Sequence, residues 1–143
     1  MKMKKTIPYI PVNNIEDAVI FYEAKLGFNC QHKDTSFGLL YRDEVEIHLW
    51  AANDSDWKSR GPQVLTEPIK SGAESFLAGT ASCRIEVEKI DDLYIEYKKN
   101  GVLYNQETVI EETPWGTREF PALDLHRNLI TFYEKVEKKM KEF

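Results

Sequence analysis

Two cysteines in 143 residues, Cys30 and Cys83, are too few for a disulfide framework, and neither a CxxC nor a paired spacing connects them. Both fall inside strand-like patterns, which reads as two reduced thiols in or near a core, in the reducing environment of the cytoplasm. Long apolar runs are also missing. No stretch approaches the roughly 20 residues that span a bilayer. The basic start Met1-Lys2-Met3-Lys4-Lys5 is followed only by a short, proline-broken segment, Thr6 to Val12, which does not make a signal peptide. Positive charge is in deficit too. Against 24 Asp and Glu there are 19 Lys and Arg, a formal net charge of −5. That balance speaks against nucleic acid as a partner, because phosphates need clustered basic side chains. No Ser-His-Asp set is tied together by motif, and there is no phosphate-cradling glycine loop or zinc-finger spacing.

What is present is 42% hydrophobic residues, enough for the core of one domain of ordinary size. Their spacing repeats. Tyr9 and its alternating neighbours read as a strand that Pro8 and Pro11 confine to an edge or an end. Asn13 or Asn14 then offers a helix cap, Ile15, Ala18, Val19, Tyr22 and Leu26 form one helical face, and Gly27 suits the helix end. Strands over Phe28 to His32, Phe37 to Tyr41 and Val45 to Trp50 follow. In the last of these Val45, Ile47 and Leu49 share one face and Glu46, His48 and Trp50 the other.

The second half repeats this order. Cys83, Ile85 and Val87 alternate with Arg84, Glu86 and Glu88, a helical segment runs from Ile90 to Gly101, and strands are expected over Val102 to Ile110, Thr117 to Leu123 and Leu129 to Tyr133. Val12 and Val87, Ile15 and Ile90, and Tyr22 and Tyr97 are each 75 residues apart. The pattern predicts an α+β fold of two tandem βαβββ modules. Module 1 spans about 5–51, a connector 52–80, module 2 about 81–134, and a short terminal helix is expected over 135–143 with Val136 and Met140 on one side. A connector of this length should contain a short helix, best placed over Glu67 to Leu77, or cover a site, with Trp57 as a lid or loop anchor.

Specific strings give the pattern a family. Ile10-Pro11-Val12-x-x-Ile15, Phe21-Tyr22-Glu23, Leu26-Gly27-Phe28 and Phe37-Gly38-Leu39-Leu40-Tyr41-Arg42-Asp43 resemble the opening module of the glyoxalase/bleomycin-resistance/dioxygenase (vicinal oxygen chelate, VOC) superfamily. Pro114-Trp115-Gly116-Thr117-Arg118-Glu119-Phe120 resembles the PWG-x-REF segment of its bleomycin-resistance members, the nearest in motif. Asp124-Leu125-His126-Arg127-Asn128 resembles their D-P-x-G-N turn, without its Pro and Gly.

The resemblance implies that each module curls its sheet into a half-barrel, and that the chain forms a homodimer with ligand clefts at the subunit interface. Enzymes of the superfamily hold a divalent metal with donors from four strand positions, which alignment places at Ile7, His48, Ser82 and Thr131. Only His48 is a good ligand, so no metal cofactor and no catalytic residue is expected. The expected function is sequestration of a small aromatic or cationic compound, bleomycin or another. The alternatives are a metal-dependent lyase, isomerase or dioxygenase, and an interaction subunit with a filled cleft. The expected ligand-binding residues are Phe37 and Trp115 by motif, with His48, Trp50, Arg84 and Glu86 from strand faces. Arg84 and His32 stand where bleomycin binders carry aromatics. Arg84 would repel a cationic glycopeptide unless Glu86, Glu88 or another acid compensates.

Overall fold

The computed structural model describes residues 1–52, 61–67, 73 and 76–137. The first sheet is built from β1 (Tyr9–Val12), β2 (Asn29–Lys33), β3 (Phe37–Arg42) and β4 (Val45–Ala51), with α1 (Ile15–Lys25) between β1 and β2. Its strand order is β1-β4-β3-β2, with β1 parallel to β4 and the other pairs antiparallel. The second sheet repeats the order as β5-β8-β7-β6, from β5 (Ser82–Glu86), β6 (Glu111–Glu112), β7 (Thr117–Leu123) and β8 (Leu129–Lys135), with α2 (Ile90–Asn100) after β5. These are the two βαβββ modules that the sequence predicts, and neither sheet closes on itself. Both helices have 11 residues and start 75 positions apart, at Ile15 and Ile90. β1 is an edge strand, where prolines at positions 8 and 11 break no central ladder.

The helices start by different devices. Asn14 caps α1, its side chain accepting the Asp17 N–H at 2.8 Å. Lys89 precedes α2 with a left-handed φ of 55° and no side-chain cap. There the Glu134 carboxylate, reaching over from β8, accepts the Lys89 N–H at 2.8 Å. At the end of α1, Gly27 takes φ +78°, and a Cβ there would meet the Arg42 guanidinium at 2.5 Å.

One core joins both modules. Tyr22, Leu26, Ile47 and Leu49 of the first and Ile90, Tyr97, Phe120 and Ile130 of the second are all fully buried within it. Polar bonds tie the modules across this core. Tyr22 donates to Asp124 Oδ2 at 2.9 Å, Asn128 Nδ2 donates to the Pro11 carbonyl at 2.8 Å, and Tyr97 donates to the Leu26 carbonyl at 2.8 Å. Arg42 pairs with Glu96 through both terminal nitrogens, at 2.7 and 3.0 Å. Asp124 is a buried carboxylate with no cation bonded to it among the described residues, and four donors satisfy it: Tyr22 Oη, Asn128 Nδ2 and the backbone N–H groups of His126 and Asn128.

Three expectations need correction or fall outside the described chain. Val102 to Ile110 is not a strand. Leu103 makes a single bridge to Ala122, and a turn follows in which the Asn105 side chain accepts the Glu107 N–H at 3.0 Å. This local bond competes with ladder pairing and leaves only Glu111–Glu112 as β6. The tail is not helical from 135, because Lys135 still pairs with Thr117 in β8; residues 138–143, including Met140, are outside the described residues. In the connector a 3-10 helix occupies Pro62–Thr66, while Trp57 and most of 67–77, the stretch where a helix is expected, lie outside the described residues.

Candidate functional site

The sheet faces turned away from the core carry the candidate residues. On the first sheet Phe37, Leu39 and Tyr41 of β3 and Glu46, His48 and Trp50 of β4 alternate with buried Gly38, Leu40, Ile47 and Leu49. Register then brings rings together: Tyr9 lies opposite His48, and Phe37 opposite Trp50. Tyr9 stacks on His48 with centroids 5.2 Å apart, Phe37 meets His48 edge-on at 5.1 Å, and Phe37 and Trp50 lie 4.8 Å apart. These four rings form one continuous aromatic wall. The Trp50 indole Nε1 is buried there and has no hydrogen-bond partner among the described residues.

A fifth ring joins through an irregularity. Cys30 pairs with Leu40 but His32 pairs with Leu39, so Gln31 is an extra residue in β2. This bulge moves His32 off the core side, where strict alternation after Cys30 would put it, and its ring lies 6.1 Å from Phe37.

One edge of the wall is charged. His48 Nε2 lies 2.6 Å from Glu46 Oε2, and Lys5 donates to Glu46 Oε1 at 2.8 Å. The Lys5 ammonium, followed by His48, holds the Glu46 carboxyl down to about 2.

The second sheet presents a different surface. Arg84 of β5 lies opposite Thr131, and Glu119 of β7 lies opposite Tyr133. Arg84 bonds Glu119 at 2.8 Å and covers the Tyr133 ring at 4.7 Å. Glu86 is exposed and 3.8 Å from Lys135. Trp115 stands at the tip of the turn between β6 and β7, 65% exposed. The Thr113 N–H donates to the Thr117 carbonyl at 2.8 Å to close that turn, and Gly116 takes φ +88° within it.

Phe37, His48 and Trp50 are thus brought together in one wall. Arg84 and Glu86 share the second sheet, and Trp115 projects from its hairpin; among the described residues of a single chain no hydrogen bond, ion pair or ring contact joins these two groups. Two hollows run between the modules. One of about 460 Å³ has Lys5, Glu46, Arg84 and Glu86 among its lining residues. Another of about 1010 Å³ is strongly acidic, with Asp43, Glu44, Glu88, Asp92 and Glu134 on its walls. Tyr9, Phe37, His48 and Trp50 line neither of them.

Tyr9 and Glu119 were not among the residues expected to form the site. Tyr9 was legible from its alternation with buried Ile10. Glu119 depended on the β7–β8 register, which a sequence does not display. The positions matching the superfamily's metal ligands do not fit a catalytic ion: Ile7 has no donor, Ser82 and Thr131 offer neutral oxygens, and the Nε2 of His48 is engaged by Glu46. Among the described residues no three His, Cys, Asp or Glu side chains gather into a metal-binding group. No helix among them is long and apolar enough to cross a membrane.

Comparisons with known proteins agree with this architecture. The model of the Glyoxalase/Bleomycin resistance protein/Dioxygenase superfamily matches residues 6–134. The chain is 44% identical over 135 residues to a bleomycin resistance protein of Geobacillus stearothermophilus, covering 94% of this chain and 99% of that protein. A bleomycin resistance protein of Staphylococcus aureus strain MRSA252 matches with the same identity and coverage. Among solved structures, the bleomycin-binding protein from bleomycin-producing Streptomyces verticillus, complexed with copper(II)-bleomycin, has a TM-score of 0.68 at 21% identity, over 96% of this chain and 99% of that one. At that identity the likeness establishes the fold.

Proposed function

The chain belongs to the glyoxalase/bleomycin resistance protein/dioxygenase superfamily, and on that premise we propose that it is a bleomycin-binding protein that gives resistance by holding the drug intact. The observation that carries this reading is the aromatic wall of Tyr9, Phe37, His48 and Trp50 with a partnerless indole N–H within it. Such a wall suits a flat heteroaromatic group that stacks on the rings and offers an acceptor to Trp50 Nε1. Leaving a buried N–H unmatched costs about 1–3 kcal/mol, which a bound acceptor recovers.

The binding unit is a homodimer. In a single chain the aromatic wall belongs to the first sheet, while Arg84 and Glu86 lie on the second and Trp115 in its β6–β7 turn. A second copy that lays its second-module face over the first module's wall closes a cleft between ring-rich and polar surfaces. The ligand is then lined by Phe37, His48 and Trp50 of one protomer and by Arg84, Glu86 and Trp115 of its partner. The protein acts in the cytoplasm, where Cys30 and Cys83 stay reduced.

Fluorescence titration with metal-free and copper-loaded bleomycin tests the proposal. Saturable quenching at about micromolar affinity or tighter, about −8 kcal/mol, is expected, weakened at least tenfold by Trp50→Ala and by Trp115→Ala. A flat titration refutes it.

A further inference from the structure

The polar face of the second module contains a charge that ought to work against a cationic drug, and a partner that cancels it. We propose that Glu119 is a specificity-determining residue of the bleomycin site, neutralising Arg84 so that the second-module face accepts a cationic ligand. This inference rests on the proposed bleomycin-binding function.

The geometry gives Glu119 two attachments. Its Oε1 and Oε2 accept Arg84 Nη1 at 3.4 Å and Nη2 at 2.8 Å. Oε2 also accepts the Thr117 hydroxyl at 2.8 Å, and that hydroxyl lies 2.7 Å from the hydroxyl of Thr113. Thr113 and Thr117 close the turn that presents Trp115. Glu119 therefore fixes a guanidinium at one end and the base of the Trp115 hairpin at the other. Its side chain is 17% exposed, and that of Arg84 is 46% exposed. The Arg84 guanidinium holds the Glu119 carboxyl below the usual carboxylate range, so the pair is ionised at neutral pH.

The other carboxylates near Arg84 do not do this work. Glu86, on the same strand face, is exposed and lies 3.8 Å from Lys135. Glu88 is beyond the end of β5, on the wall of the acidic hollow. With Glu119 removed, Arg84 would present an uncompensated positive charge to the cleft from its place over Tyr133. At a few ångströms in partly solvated surroundings such a charge weakens a cation by about five- to tenfold, and salt screens the effect.

The experiment is calorimetric titration of metal-free bleomycin at low and physiological salt into wild type, Glu119→Gln, Arg84→Gln and the double variant. A glutamine still accepts the Thr117 hydroxyl, so the hairpin keeps its tie. We expect a five- to tenfold weaker Kd for Glu119→Gln, shrinking as salt rises. Arg84→Gln should bind at least as tightly as wild type, and the double variant should return to within about twofold of it. A salt-independent loss in Glu119→Gln that Arg84→Gln does not rescue would show a structural role and overturn the inference, as would unchanged affinity. Should Glu119→Gln fail to fold, Arg84→Gln alone decides: a loss of affinity overturns the inference, and a gain supports it. Binding absent from the wild type would remove the proposed function, and this inference with it.

Discussion

Tyr22 and Tyr97 occupy equivalent places in the two modules, 75 residues apart and both fully buried, yet their hydroxyls have unlike partners. Tyr22 donates to the Asp124 carboxylate at 2.9 Å. Tyr97 donates to the neutral Leu26 carbonyl at 2.8 Å and accepts only a long bond of 3.4 Å from Arg42 Nη1, which also donates to that carbonyl at 2.8 Å. Replacing each by Phe keeps the ring and removes only the hydroxyl. Loss of a bond to a buried charge costs about 1.5–3 kcal/mol, while a neutral bond costs about 0.5–1.5 kcal/mol. The Leu26 carbonyl keeps its second donor, which places Tyr97→Phe in the lower range. Asp124 retains three donors, but one oxygen falls from two donors to one within a buried site. For a domain near this length, about 3–4 °C in Tm accompanies each kcal/mol. Tyr22→Phe should therefore lower Tm by about 5–10 °C and Tyr97→Phe by about 2–5 °C. Thermal unfolding provides the assay, and urea unfolding should show the same order, with the midpoint shifting at constant slope. Equal losses, or a larger loss for Tyr97→Phe, would refute the reading that the buried Asp124 carboxyl depends on its tyrosine more than the Leu26 carbonyl does.

Other predictions follow from the same geometry. Glu46 has its carboxyl lowered to about 2 in the folded chain, against an unfolded value near 4.3. Its contribution to stability is thus complete above about pH 4.5 and is lost as pH falls toward 2; a carboxyl NMR titration should give a midpoint well under 4, and a midpoint of 4 or above contradicts the Lys5–Glu46–His48 chain. Burial, followed by the charge of Asp124, pushes the Cys83 thiol up to about 11, so it should resist a thiol reagent at pH 8 until the protein unfolds. The same shift withdraws stability as pH rises above about 9, and rapid labelling of native Cys83 would contradict it. Gly27→Ala must adopt φ +78° and displace the Arg42 guanidinium, with an expected loss of about 2 kcal/mol or more by chemical denaturation. Glu134→Ala removes the surrogate cap of α2 and should cost about 1 kcal/mol.

How far the sequence reaches depends on how local the determinants are. The helices were legible because the Asn14 cap, the apolar spacing and the glycines at 27 and 101 all lie within a few residues of the elements they define. The half-repeat was legible because it recurs at a fixed distance. The face shared by His48 and Trp50 followed from simple alternation. What alternation does not foresee is a break in itself: the bulge at Gln31 turns His32 toward Phe37. The segment after Val102 misled for a similar reason, since its apolar residues suit a strand while the Asn105 side chain takes the backbone into a turn. Long-range partners were beyond sequence reading altogether. The cap on α2 comes from Glu134, some 45 residues away, and the counter-charge to Arg84 comes from Glu119, 35 residues away, rather than from the neighbouring Glu86 or Glu88.

Under the proposed function, bleomycin is held reversibly and unchanged on the wall of Tyr9, Phe37, His48 and Trp50. Equilibrium dialysis against bleomycin, followed by denaturation and mass analysis of the released drug, tests it most directly. Saturable uptake at about micromolar affinity or tighter is expected, weakened at least tenfold in Trp50→Ala, with the drug recovered at its original mass. Absent uptake, or recovery of a drug with altered mass, would contradict it.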